Sequence, residues 1–209
     1  MVRGNERNGT SQERATHVLT IHELQGMETA HIRIEPTELL QVEPDAYGLC
    51  VAVEGLDTLN DLPRALLAIR FALRQDSPFI GALAGGDTLP ALRAAMRAAD
   101  EEMGGATPHV HPRIEPAGLA GLLSDAGFTM PVVDVDRVEV GYRSLSALVR
   151  DLRAMGATNQ LTARSRTPLT RSAAAAAASA FEAQASNGRI RGRVGILHFP
   201  AWTPRQAHG

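Results

Sequence analysis

Cysteine, long apolar runs and an early glycine-rich loop are nearly or wholly missing from this chain of 209 residues. The single cysteine, Cys50, excludes an intrachain disulfide. It lies in an apolar run where it reads as a small buried hydrophobe. No stretch approaches the ~18 consecutive apolar residues of a membrane-spanning helix. The opening MVRGNERNGTSQERA has no apolar core of the signal-peptide kind. Together these absences predict a cytoplasmic protein without a membrane span. Net charge is also small: 21 basic against 23 acidic residues give −2, with a pI near 6.4. Such a balance offers no electrostatic reason to expect nucleic acid or an anionic membrane as partner. No apolar strand followed by G-x-G-x-G precedes His17.

The remaining totals are ordinary. A hydrophobic fraction of 44% and a charged fraction of 21% are those of a soluble globular protein. The length suits one sizeable domain and is short for two. Residues 1–14 are polar and rich in Gly and Asn, so they are expected to form a disordered tail, with residues 15–209 as one domain.

The rest of the chain is organised around residues 49–92. An apolar run at 49–53 ends in a turn at Glu54-Gly55. A helix then opens behind Asn60 and Asp61, with Pro63 in its first turn and Leu62, Leu66, Ile69 and Leu73 at intervals of three and four. A second apolar run, 79–84, breaks at Gly85-Gly86. This strand–helix–strand pattern, apolar throughout both strands, is that of parallel strands covered on both faces. The fold class expected is α/β, with a mostly parallel sheet and the ligand site beyond the strand ends at residues 55–58 and 85–88.

Before this unit, HVLTI (17–21) and AHIRIE (30–35) read as strands, with about ten residues between them, close to the minimum for a helical crossover. After it, residues 89–102 form an amphipathic helix with Leu89, Leu92, Met96 and Ala99 inward. A loop containing PHVHP follows, then a short helix from Pro116 to Ala126 stopped by Gly127. PVVDVDRVEV (131–140) alternates as a strand with one wet face. Ser144 caps a helix whose inner stripe is Leu145, Leu148, Val149, Leu152 and Met155. The alanine run 173–178 lies in a helix over 171–184, explained by helix propensity. GILHFPAW (195–202) is the last strand.

The segments NDLPRAL, GGDTLPALR, HVHP, LLSDAGF and VDVDRVEVGYRSLSALVRDLRAMGATN, with the closing strand to Trp202, carry a resemblance over about residues 45–204. The chain resembles the class I S-adenosylmethionine (SAM)-dependent methyltransferases. The branch is that of the malonyl-carrier-protein methyltransferase of biotin synthesis and of the respiratory complex I assembly factor with a methyltransferase fold. NDLPRAL and GGDTL point to the assembly-factor side. The resemblance implies SAM as cofactor, held by a glycine-rich loop after the first strand and by an acid after the second. HVLTI with Glu23 fits the second position and AHIRIEPTELL the third. If HVLTI is instead the first strand, ELQG stands where the glycine loop belongs. The loop is absent or degenerate in either register, so the Rossmann-like domain is expected to be N-terminally truncated or degenerate. A start lying inside a longer reading frame is a further explanation.

Carried over residue by residue, the resemblance places Glu23, Glu38, Leu39, Gly55, Leu56 and Asp57 at the cofactor. Asp57-Thr58 stand where relatives often have His-Trp. It places Gly85, Gly86, Asp87, Thr88, Tyr142 and Asn159 on the substrate side. Each has a plainer reading: Asp87 or Thr88 as the cap of the next helix, Tyr142 and Asn159 as strand-end and helix-terminal residues, Glu23 as a solvated acid. His109 and His111 alternate as a metal pair would, yet no Cys or carboxylate stands at ligand spacing, and no metal is expected. Arg150, Arg153, Arg164, Arg166 and Arg171 form the solvated face of helices or a shallow basic patch suited to an acidic protein.

Two functions follow. One is a SAM-dependent methyltransferase acting on a small carboxylate, carrier-bound or protein substrate, for which in-line placement suffices without a dedicated acid–base pair. The other is a non-catalytic assembly or interaction factor with an eroded cofactor half. A sheet lacking its central strand would expose apolar edges, which predicts a homodimer or poor solubility.

Overall fold

The computed structural model describes residues 43–53 and 55–205, together with the backbone of two strands, His17–His22 (β1) and Thr29–Ile34 (β2). The central unit is as expected. Strand β3 (Leu49–Val53), helix α1 (Leu62–Ala72) and strand β4 (Pro78–Gly85) follow one another, and β3 and β4 pair in parallel with Cys50 opposite Phe79. Asp61 caps α1 by accepting the Arg64 N–H at 3.0 Å, and the helix turns Leu66 and Ile69 inward.

The sheet has six strands in the order β2-β1-β3-β4-β6-β5. It is mixed rather than mostly parallel: β3–β4 is its one parallel pair, and β1–β2, β1–β3, β4–β6 and β5–β6 are antiparallel. The expected helical crossover between β1 and β2 is replaced by a hairpin pairing. Residues 23–28 alone join the two strands, too few for a crossover that needs a dozen or more. HVLTI therefore does not occupy the second-strand position. It lies beside β3, in the first-strand position, and runs against β3.

The sheet's two faces carry separate cores, because side chains alternate along β6 (Ile190–Trp202). On one face Leu197, Phe199 and Ala201 join Cys50, Ala52, Phe79 and Leu83 beneath α1 and α3 (Pro116–Asp125). Phe199 meets Phe79 edge-on at 5.0 Å, and Phe128 lies 5.2 Å from Phe79. On the other face Ile190 and Val194 pack with α2 (Pro90–Met103), α4 (Leu145–Ala154) and α5 (Arg171–Glu182). There the alanine run has a packing role beyond helix propensity. Ala173 and Ala177 of α5 are fully buried in the same cluster as Ala91, Ala95 and Ala99 of α2, and small side chains let two helices approach closely.

Four local expectations are corrected. Burial alternates along β3 and β4, and Val53 and Ile80 are 65% and 46% exposed, because α2, α4 and α5 cover the far end of that face and leave its centre open. Strand β5 (Asp134–Tyr142) is only partly covered on the side expected to be dry: Val135 packs against the first core, whereas Val138 and Val140, farther along this edge strand, are both exposed. Met155 leaves the inner stripe of α4 and is exposed, because the helix ends at Ala154 and Gly156 takes φ 73°. Finally, neither Asp87 nor Thr88 caps α2. Its N-cap is Leu89, at φ 53°, with no side-chain cap bond. Ser144 does cap α4, accepting the Ala147 N–H at 3.2 Å.

Candidate functional site

A pocket of about 400 Å³ opens at the C-terminal ends of the two parallel strands. The 3-10 turn Leu56–Thr58 after β3, the residues that open α1, the end of β4 and the loop before α3 build it. Its walls are largely apolar: Leu56, Leu59, Leu62, Leu83, Ile114 and Leu161. Its polar groups are Asp57, Asn60 and Arg113. The position follows from the strand pairing, because the ends of parallel strands leave a crevice between their loops.

Arg113 is the central polar group. Its Nη1 donates to Asp57 Oδ2 and, at 3.2 Å, to the Ala84 carbonyl. The two side chains are only 11% and 10% exposed. The Nε–H of Arg113 is buried without an acceptor among the described residues. A buried, unpaired donor costs about 1–3 kcal/mol, so this edge of the guanidinium is primed for an oxygen ligand. Nothing in the sequence distinguished Arg113, since an arginine between two prolines in HPRIEP reads as a solvated loop residue.

The residues expected at the site divide. Leu56 and Asp57 line the pocket, and Gly55, at φ 86°, makes the turn that delivers them. Gly85, Gly86, Asp87 and Thr88 do not line it. Thr88 Oγ1 donates to the Gly85 carbonyl at 2.6 Å and accepts from Gly195 N–H at 3.0 Å, locking β4 to β6. Asp87 pairs with Arg193 at 2.6 Å on the surface. Gly86 N–H donates to the Ile114 carbonyl at 2.8 Å, holding the loop that bears Arg113. Tyr142 packs into the second core, where burial and then Asp151 raise its hydroxyl above the ordinary value. Asn159 Nδ2 donates to the Pro108 carbonyl at 2.7 Å, a loop tie near the pocket rather than a wall of it. Glu23, Glu38 and Leu39 lie outside the described residues.

The two histidines of PHVHP serve separate loop contacts. His109 Nε2 lies 2.8 Å from Asp100 and 2.9 Å from Thr107 Oγ1, whereas His111 Nε2 accepts the Gln160 N–H at 2.9 Å. Burial pushes the Asp100 carboxyl up. The hydrogen bonds from His109 and Thr107 and the charge of His109 outweigh it and hold the carboxyl below its ordinary value. A depressed folded-state value contributes stability above the unfolded value, near 3.9, and loses it as pH falls through the folded one. Urea unfolding of Asp100→Asn between pH 6 and pH 2.5 is therefore expected to show a shallower acid limb than wild type. An unchanged limb would show that the carboxylate is not held by these contacts.

Comparison with known proteins gives a consistent answer. The chain is 35% identical over 173 residues to the mitochondrial arginine-hydroxylase NDUFAF5 of Danio rerio, covering 81% of this chain and 54% of that protein. It is 36% identical over 150 residues to the malonyl-[acyl-carrier protein] O-methyltransferase of Xylella fastidiosa, covering 71% and 49%. The chain is homologous to both. A solved structure from Bacillus halodurans, assigned as a methyltransferase, matches with a TM-score of 0.50 at 8% identity, over 82% of this chain and 76% of that one, which shows the fold alone. The fold is that of the class I SAM-dependent methyltransferases. No protein-family model matches the chain. The methyltransferase-fold chain spans about half the length of the curated relatives it matches.

The described residues do not fit SAM. In the methyltransferase fold the strand beside β3 must end near Asp57 to bring a glycine-rich loop there. Here β1 ends with His22 opposite Leu49, at the start of β3, whereas Asp57 follows its end. At about 3.3 Å per residue the two ends of β3 are about 13 Å apart. Asp57, the acid on the pocket side, is already paired with Arg113. Among the described residues no group of His, Cys, Asp and Glu could hold a metal, and no helix is long and apolar enough to cross a membrane.

Proposed function

We propose that this chain is the acceptor-binding part of a methyltransferase-fold protein, and that its pocket takes a carboxylated acyl group of the kind named by the malonyl-carrier-protein relatives. The observation that carries the reading is the buried Nε–H of Arg113, without an acceptor among the described residues, in a pocket whose walls are largely apolar. A carboxylate set side-on against Nε and Nη2 makes the paired, charge-assisted contact for which guanidinium is suited, after a small opening of the pocket wall. The leucine walls accept the aliphatic part of the acyl group. Asp57 holds Arg113 by Nη1 and fixes which edge is offered.

The arginine-hydroxylase relatives suggest a second occupant, an arginine side chain of a protein. A guanidinium brings five donors and no acceptor, so it leaves the Arg113 donor unpaired, and the acid it would seek is already engaged. The carboxylate reading is therefore favoured.

Calorimetric titration with S-malonyl and S-acetyl pantetheine tests the reading. The malonyl thioester is expected to bind at least tenfold more tightly, and Arg113→Lys to lose most of that preference, since a hydrogen bond to a charged group is worth about 1.5–3 kcal/mol. Equal affinities for the two thioesters, or preference for an arginine-containing peptide, would overturn it. In parallel, SAM is expected not to bind this chain up to millimolar concentration, and micromolar binding would mean that the cofactor pocket is rebuilt despite the missing loop.

A further inference from the structure

We propose that the arginine-rich segment 143–171 is a docking surface for an acidic protein that presents a tethered group to the pocket, an inference that rests on the pocket reading above. The segment holds six arginines, Arg143, Arg150, Arg153, Arg164, Arg166 and Arg171, against one acid, Asp151, in a chain whose net charge is −2. All six are exposed. Among the described residues none of them forms an ion pair. The one acid is engaged by Tyr142. The guanidinium groups thus face solvent uncompensated, on one side of α4, along the loop after it, and at the start of α5.

The middle of this segment is fastened to the pocket. Leu161 is one of the pocket walls. Asn60 Oδ1, at the opening of α1, accepts the Thr162 N–H at 3.1 Å, and the Gln160 N–H donates to His111 in the loop that bears Arg113. Arg164 and Arg166 directly follow this fastened stretch, so a partner that seats on them and reaches back to the arginines of α4 comes close to the pocket mouth. Charge complementarity selects an acidic surface. The exposed apolar side chains Met155 and Leu169, 58% and 38% accessible, give it packing contacts. The segment contains no aromatic residue on which bases could stack, which favours a protein over RNA.

The test uses the triple variant Arg150→Glu, Arg153→Glu, Arg166→Glu, none of whose residues lines the pocket. Binding of a malonyl-loaded acyl carrier protein is compared with binding of S-malonyl pantetheine in 50 mM and 300 mM salt. Carrier binding by the wild type is expected to weaken steeply with salt. The variant is expected to lose at least tenfold of carrier affinity at low salt while binding the free thioester as wild type does. Unchanged carrier affinity in the variant would overturn the proposal, as would tighter wild-type binding of a 20-nucleotide single-stranded RNA than of the carrier. If the free thioester fails to bind while carrier binding still depends on the arginines, the pocket reading fails and the docking surface stands. Thermal unfolding of the variant at the wild-type temperature confirms that its fold is kept.

Discussion

Asp57→Ala is expected to destabilise the chain by about 3–5 kcal/mol, far more than a surface substitution, because it leaves the buried charge of Arg113 without its partner. Both side chains are nine-tenths buried or nearly so, so solvent cannot replace the lost carboxylate. Arg113 would then keep a single anchor, the Ala84 carbonyl. The reverse substitution, Arg113→Met, is expected to cost a comparable amount by stranding Asp57. The double variant Asp57→Leu, Arg113→Met is expected to recover most of the loss, since apolar side chains of similar volume commonly replace a buried pair at little cost. Urea unfolding midpoints for wild type, Asp57→Leu, Arg113→Met and the double variant form a cycle that isolates the pair. A loss below about 1 kcal/mol in either single variant would mean that the pair behaves as an exposed one. The double variant is also expected to fold yet bind no malonyl thioester, which separates the pair's role in stability from its role in recognition.

The second large effect is expected at Gly85. A Cβ there would lie 2.5 Å from Leu197 Cδ1 and 2.8 Å from the carbonyl oxygen of Ile114. Leu197 is 1% exposed within the first core and has nowhere to turn. The Ile114 carbonyl is held by the Gly86 N–H and belongs to the loop that carries Arg113. Gly85→Ala must therefore part β4 from β6 or push this loop outward. Overpacking of this kind costs typically about 1–3 kcal/mol. Displacing the loop would also move Arg113, so ligand affinity should fall together with stability. Gly121→Ala is the matched control. Nothing lies within 4 Å of its added Cβ, and the site is in α3, so a gain of roughly 0.5–1 kcal/mol is expected. If Gly85→Ala unfolded at the wild-type denaturant concentration, the tight approach of these backbones would not exist in solution.

How much of this was legible in the sequence depends on the range of the interaction. The periodic signals were local and held. Leu66 and Ile69 are core residues, Asp61 caps α1, Ser144 caps α4, and residues 49–53 and 79–84 form the parallel pair. Strand direction in β1 was not local: HVLTI is equally apolar read parallel or antiparallel, and only the short link to β2 carried the information. The open centre of the sheet was hidden for a similar reason. Val53 and Ile80 belong to apolar runs, and whether a helix covers them depends on where α2, α4 and α5 settle. Of the pocket, Leu56 and Asp57 were foreseen because they follow a strand end. Arg113, distant by 56 positions from Asp57, was not, since its burial arises from the loop's attachment to Gly86 and from no pattern around it. Thr88 shows the same limit: its position before a helix suggests a cap, while its partner, Gly195, stands 107 residues away.

Cys50 is the chain's one thiol, fully buried against α1 in the central unit, and burial pushes its pKa up to about 12. Nearly all of it stays protonated at neutral pH, and no reagent reaches it while β3 is covered. Its alkylation clock then runs only when the central strand opens. The labelling half-time of the unmodified protein becomes a direct count of how often that unit breathes, needing no added probe. Ligands that grip the pocket at the end of β3 should slow that clock, and substitutions that loosen Asp57 and Arg113 should hasten it.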